Sequence, residues 1–301
     1  MSEIFAAYVA AVSAPGGPLD GDTVRAYVSR VRQFLAWLAE AQEAGAVDGD
    51  PLGVAHARDG AVRDYRTYLL TVAKRTLSTV NAHLTAVDHF YRHVGLGAAV
   101  VKRQEVPKAA PRALSARART RWLRAAQRAD ARDKALAYLG YYAGLRGGEA
   151  VALDVGDVRI TARKGVLIVR FGKGGKYREV PLHPHLRTAL DEWITERATW
   201  RPGAADTPAL FLNRRGGRLS ARGAYNALAA IAEDAGLQFG RDGDLTPHAL
   251  RHTAGTDMIR DGEDIVTVAE ILGHSIETAR RYSLPTDADK QRAIERLAVD
   301  E

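Results

Sequence analysis

The deciding stretch reads T-P-H-A-L-R-H-T from Thr246 to Thr253 and, after one further helical segment, L-G-H-S-I-E-T-A-R-R-Y from Leu272 to Tyr282. Thr246 is a natural N-cap and Pro247 fits the first helical position, so a helix starts here. His248, Arg251 and His252 then stand at i, i+3 and i+4 and share one face. Free N–H groups at a helix start already favour an anion, and basic side chains placed there oppose the dipole unless a phosphate docks. Glu263 to Leu272 is the next amphipathic helix, closed by Gly273 as a left-handed stop. His274 falls in the turn, Ser275 caps a short helix that carries Tyr282, and Pro285 ends it. Either phrase alone is also what a capped surface helix with incidental basic residues would show. Together they suggest a basic pocket for a phosphodiester, with Tyr282 as candidate nucleophile.

Upstream lies the clearest β signal. Val166 to Phe171 and Tyr177 to Leu182 are short β-rich runs joined by G-K-G-G-K, which predicts a hairpin with Lys173 in its turn. The turn has no G-x-x-x-x-G-K-[ST] pattern, so nothing supports nucleotide binding. Before it, a helix over Ala131 to Ala143 gives way to G-L-R-G-G-E, where Arg146 precedes Glu149 by one helical turn. A guanidinium held by that carboxylate suits a two-point grip on phosphate oxygens. The first third reads as helices. Thr23 to Ala39 follows a candidate N-cap at Asp22, and stripes at Val62, Tyr65, Leu69 and Val72 and at Val80, Leu84, Val87 and Tyr91 mark two more, the last ended by Gly95. Residues 96–113 lose the period and contain two prolines, as an extended linker would. After Arg218 the chain returns to helices.

The 301 residues suffice for two domains, each with a real core. Formal net charge is +7, which favours a polyanionic partner without proving one. The absence of cysteine excludes disulfides, thiolate zinc sites and Fe–S clusters. No apolar run reaches the roughly 18 residues that span a bilayer, and Met1-Ser2-Glu3 does not begin a signal peptide, so the expectation is a cytoplasmic protein with no membrane contact.

The ordered set Arg146, Lys173, His248-x-x-Arg251, His274 and Tyr282 resembles the active site of tyrosine site-specific recombinases, the Xer-like and phage-integrase type. The resemblance implies a mainly α fold with a small antiparallel β-sheet in the catalytic domain, forming a two-domain C-shaped clamp on DNA. It divides the chain into a helical core-binding domain over 1–95, the linker 96–113, and a catalytic domain over 114–301 that ends in a tail helix. It also implies catalytic roles for Tyr282, Arg146, Lys173, His248, Arg251, His274 and Glu149, with no cofactor and no metal. Tyr282 would form a 3′-phosphotyrosyl intermediate on the way to a Holliday junction. The implied partners are double-stranded DNA with short inverted-repeat sites and a homo- or hetero-tetramer on two sites, exchanging C-terminal tails. Alternatives within reach of the same residues are a type IB topoisomerase-like relaxing enzyme and a non-catalytic DNA-binding accessory protein. One departure matters: Tyr282 stands one residue closer to His274 than the family's usual spacing. One residue lost from a helix turns every later side chain by about 100°, so Tyr282 faces the pocket only if the turn at Ser275 absorbs the loss.

Overall fold

A computed structural model describes residues 2–106, 113–170, 177–200, 207–240, 243, 245–285, 291, 294 and 295. The chain divides into two compact units, Met1–Lys108 and Ala109–Glu301.

The first unit is helical: α1 (Ser2–Val12), α2 (Gly21–Glu43), α3 (Ala55–Thr71) and α4 (Leu77–His93). The α2 cap is Asp20, not Asp22: its carboxylate accepts from the Thr23 backbone N–H at 2.9 Å, and Asp22 sits inside the first turn. Two carboxylates so close both suit a helix start, and backbone geometry chooses between them. The α4 cap is Thr76, and Gly95 follows its end at φ +83. Apolar residues at helical spacing meet in one core built on Phe34, Leu38, Tyr65, Leu84, Phe90 and Tyr91, with Tyr8 of α1 closing it. Trp37 is partly buried against this core, its ring among those of Phe34, Tyr65 and Tyr68. Inside the core the Tyr65 hydroxyl and His83 Nδ1 lie 2.9 Å apart. The stretch after Gly95 is extended, and its first part is laced onto this unit. Ala99 N–H donates to Asp88, Val100 N–H to Asp59 and Gln104 N–H to Asn81, while Arg103 pairs with Asp88 at 2.5 Å. A segment without periodicity is thus held by side chains that supply the partners its backbone lacks.

The second unit contains α5 (Ala116–Arg128), α6 (Ala131–Tyr142), α7 (Gly147–Ala152), β1 (Val158–Ile160), β2 (Gly165–Val169), β3 (Arg178–Pro181), α8 (Pro184–Arg197), α9 (Ala221–Asp234), α10 (Pro247–Arg260), α11 (Ile265–Leu272) and α12 (Ile276–Ala279). The sheet has order β1-β2-β3, both pairs antiparallel, with Val169 opposite Arg178 at the end of the predicted hairpin. The turn that carries Lys173 lies outside the described residues, as does most of the tail after Pro285. α6 runs through the middle, touching α5, α8, α9 and α10. Residues Ala135 to Gly140 are all buried, as a helix surrounded by others requires. Trp122 and Trp193 are fully buried in the same core. At Gly140 a Cβ would stand 3.1 Å from Leu250, so the missing side chain lets α10 approach α6 closely. That contact fixes the helix that carries His248 in its first turn and Arg251 one turn later. No helix among the described residues is long and apolar enough to cross a membrane.

Candidate active site

α10 begins as its sequence predicts, with the Thr246 hydroxyl accepting from Ala249 N–H at 2.9 Å and Pro247 in the first turn. Its far side is anchored where Thr253 accepts from Leu114 N–H. Arg251, one turn in, is fully buried. Its guanidinium donates to the carbonyls of Gly144 and Leu272, which belong to the approach to α7 and the last turn of α11. Arg251 Nη2 and Nε also lie 2.9 and 3.2 Å from His274 Nε2. A guanidinium has no acceptor, so His274 Nε2 must be the acceptor and Nδ1 the protonated nitrogen. Burial and then the charges of Arg251 and Arg146 push His274 down to about 3, which keeps it neutral. Burial also lowers Arg251 itself, to about 10, with Arg146 adding to the effect.

The short spacing to Tyr282 is absorbed as the turn required. Gly273 takes φ +61, Ser275 caps the four-residue α12, and the chain then tightens into a 3-10 turn, Arg280–Ser283, that carries the tyrosine. A 3-10 turn advances about 120° per residue instead of 100°, which recovers part of the rotation a missing residue loses. The Tyr282 hydroxyl ends 2.9 Å from His274 Nε2 and, with that nitrogen an acceptor, donates to it. The ring is 4% exposed and packs with Val268, Ala269, Leu272 and Ala279 in a small cluster of its own. It packs against Gly255 of α10, where a Cβ would stand 2.9 Å from two of its ring carbons. Burial raises the phenol above its ordinary value, and Arg251, Arg146 and Arg281 offset only part of that.

His248 is exposed at the start of α10, its ring 4.3 Å from that of half-buried His252, which in turn lies 5.7 Å from the Tyr282 ring. Partial desolvation, then the charges of Arg251, Arg146 and Arg281, hold His248 below the usual imidazole value. His252 is pushed to about 4, chiefly by burial and then by His248, Arg281 and Arg251, and its buried Nδ1 has no hydrogen-bond partner among the described residues.

Arg146 is the N-cap of α7. Glu149 reaches back to its backbone N–H at 3.0 Å and to its Nη1 at 2.6 Å, the ion pair the sequence spacing anticipates. The carboxylate has a second partner that sequence reading misses. Arg178 of β3 donates to both Glu149 oxygens, at 3.2 and 2.8 Å, with its side chain 8% exposed. The signal was phase: Arg178 and Val180 are the buried positions of β3, so an arginine sat in register with the apolar face. Burial pulls Glu149 upward, yet hydrogen bonds from Arg178 and the Arg146 backbone, with both charges, hold it below its usual value. Six of the seven expected residues are therefore described, and contacts link Arg146, Glu149, Arg251, His274 and Tyr282 in one cluster, which His248 joins through the His252 ring. Lys173 alone lies outside the described residues.

The phage integrase family model matches residues 112–289, a span that includes all seven positions. Over 282 residues the chain is 33% identical to tyrosine recombinase XerC of Roseiflexus castenholzii, covering 88% of this chain and 83% of that protein. The chain belongs to the phage integrase family of tyrosine recombinases. This family member is also 43% identical over 160 residues to tyrosine recombinase XerD of Mycobacterium leprae, a match spanning 52% of this chain and about half, 48%, of the relative. Among solved structures, the XerH recombinase bound to palindromic difH in a post-cleavage complex aligns with TM-score 0.71 at 20% identity, over 91% of this chain and 79% of that one. A lambda integrase dimer on a COC′ core site aligns with TM-score 0.67 at 16% identity, over 94% of each chain. At these identities the two structures establish that the family member shares their fold.

Proposed function

We propose that the chain is a site-specific DNA strand transferase that cuts and rejoins duplex DNA through Tyr282. The observation that carries this reading is the convergence on one buried hydroxyl: Tyr282 touches His274, and His274 is held by Arg251. In the reaction, the Tyr282 oxygen bonds to phosphorus while the bond from phosphorus to the 5′ oxygen breaks, leaving a 3′-phosphotyrosine and a free 5′-hydroxyl. His248, neutral at physiological pH, accepts the phenol proton, and Lys173 supplies the proton that the leaving oxygen takes. Arg146 and Arg251 bind the non-bridging oxygens, whose charge grows in the pentacoordinate transition state. His274 donates to the same phosphate once it turns from Tyr282. Energy of the broken ester is kept in the phosphotyrosyl bond, so a second 5′-hydroxyl can attack it and reseal.

The finer parts of the proposal rest on the resemblance. They are a core-binding unit over 1–95 that closes with the catalytic domain on DNA, short inverted-repeat sites, a tetramer on two sites that exchanges C-terminal tails through a Holliday junction, and work in the cytoplasm. The test is a nicked suicide duplex carrying a candidate site, with wild-type protein and Tyr282→Phe. A covalent protein–DNA band that forms with tyrosine and vanishes with phenylalanine is the expected result. A verified site that binds the wild-type protein without ever becoming attached would sink the catalytic reading in favour of a DNA-binding accessory role.

A further inference from the structure

Glu149 has more charge around it than a tether for Arg146 needs. Its two oxygens accept from Arg146 Nη1, the Arg146 backbone, and both terminal nitrogens of Arg178, and Arg251 Nη1 stands 4.0 Å away. Arg178 is too enclosed to meet a ligand directly. Its Nε donates to the Ile271 carbonyl at 3.0 Å, one of the carbonyls a helix end leaves without a partner. Gly273 packs so closely on it that a Cβ would stand 3.0 Å from Arg178 Nη1. One side chain thus ties β3, the carboxylate behind Arg146, and the turn that leads to His274.

We infer that Arg178 is a positioning residue that keeps Arg146 available to phosphate, an inference that rests on the strand-transfer reading above. A lone buried carboxylate beside a lone guanidinium forms a closed, two-point pair, and the phosphate must then compete with it. Arg178 takes that two-point pairing instead. The Arg146 guanidinium is left attached to Glu149 through Nη1 only, its side chain 24% exposed, with Nη2 and Nε unpaired among the described residues. The cluster also keeps a net positive charge, two arginines against one carboxylate, even before Arg251 is counted. Without Arg178 the carboxylate would turn fully onto Arg146, cancelling its charge and withdrawing its donors.

The test compares single-turnover covalent attachment of the full chain to two suicide duplexes. One carries the ordinary phosphodiester at the cleavage point; the other carries a methylphosphonate, whose phosphorus has no negatively charged non-bridging oxygen. Removing one preorganised charge donor outright costs about 10²–10³-fold, so losing its positioning by Arg178→Met is expected to slow phosphodiester cleavage roughly tenfold to a hundredfold. On the methylphosphonate most of that deficit should disappear, because less charge needs gripping. Adding Glu149→Gln to Arg178→Met should cost little more or regain rate, as two residues acting through one contact do. A Met variant as fast as wild type would overturn the inference, and so would an equal deficit on both diesters or fully additive losses. If Arg178→Met fails to fold by thermal melting, Arg178→Lys replaces it, with a smaller loss and the same preference between diesters expected. No adduct from the wild-type chain on either duplex would instead overturn the strand-transfer reading, and this inference with it.

Discussion

At the scale of single residues, burial and neighbouring charges set the protonation states around Tyr282. Tyr282 holds its proton, raised by burial, while His248 and His274 are both held neutral at physiological pH. In the proposed reaction His248 is the base, so the rate falls when that ring takes a proton. Its value lies below the ordinary 6.5, and the loss therefore comes at more acid pH than an exposed histidine would give. A pH–rate profile of covalent attachment is expected to have its acid-side midpoint below 6.5. A midpoint above 6.5 would mean that the neighbouring arginines do not act on His248 as described. Legibility at this scale was uneven. Arg146, Arg251, His248 and Tyr282 stand in local phrases with caps and turns around them, and those phrases could be read. Arg178 has no phrase; its partner is 29 residues away in sequence and only the fold brings the two together.

Among the elements, those with side-chain caps and glycine stops were the legible ones. α10 begins behind Thr246, α11 ends at Gly273 and α12 is capped by Ser275, as their punctuation marks, while α11 starts at Ile265 behind Asp264, two residues later than the expected Glu263. α8 is capped by His183, whose ring accepts from His185 N–H, and a histidine cap gives no sequence signal. β1 is three residues long and only partly buried, too short for alternation to show. α1 carries Phe5, Tyr8 and Val12 at helical spacing against the core, but only Tyr8 of these is fully buried. The seat of Tyr282 depends on a helix position that no pattern singles out. Gly255 lies inside α10, where alanine would ordinarily be the better helix former. Here a methyl would press into the Tyr282 ring and stand 3.0 Å from Leu272. Gly255→Ala is therefore expected to destabilise the second unit by about 1–3 kcal/mol and to reduce adduct formation by displacing the tyrosine. Urea melts and the suicide-substrate assay read the two effects; a variant equal to wild type in both would show that the 3-10 turn moves freely.

For the whole molecule, two separate cores imply two separable folding units. Fragments 1–108 and 109–301, expressed apart, are expected each to melt cooperatively, and a fragment that stays unfolded would show that its core needs the other. The first unit has its own acid sensitivity. His83, 4% exposed beside Tyr65, is lowered from 6.5 to about 4, chiefly by burial and then by Arg30 and Arg75. A histidine whose folded value is depressed takes its proton more readily when unfolded, so its contribution is complete above 6.5 and fades as pH falls towards the folded value. Between pH 7 and pH 5 fragment 1–108 should lose stability on the order of 2 kcal/mol, and His83→Gln should flatten that slope. Equal slopes for both proteins would place the acid sensitivity elsewhere.

The indoles are shared out unevenly: of four tryptophans, Trp37 belongs to the first unit and Trp122, Trp193 and Trp200 to the second. Ultraviolet light thus sees the two halves through different windows. With Trp37 replaced by phenylalanine, all indole emission comes from the second unit. Because Trp122 and Trp193 are sealed in its core, that emission is blue while the unit is folded and shifts red when water enters. The state of the half that holds Tyr282 can then be tracked optically in the intact chain, without an attached dye.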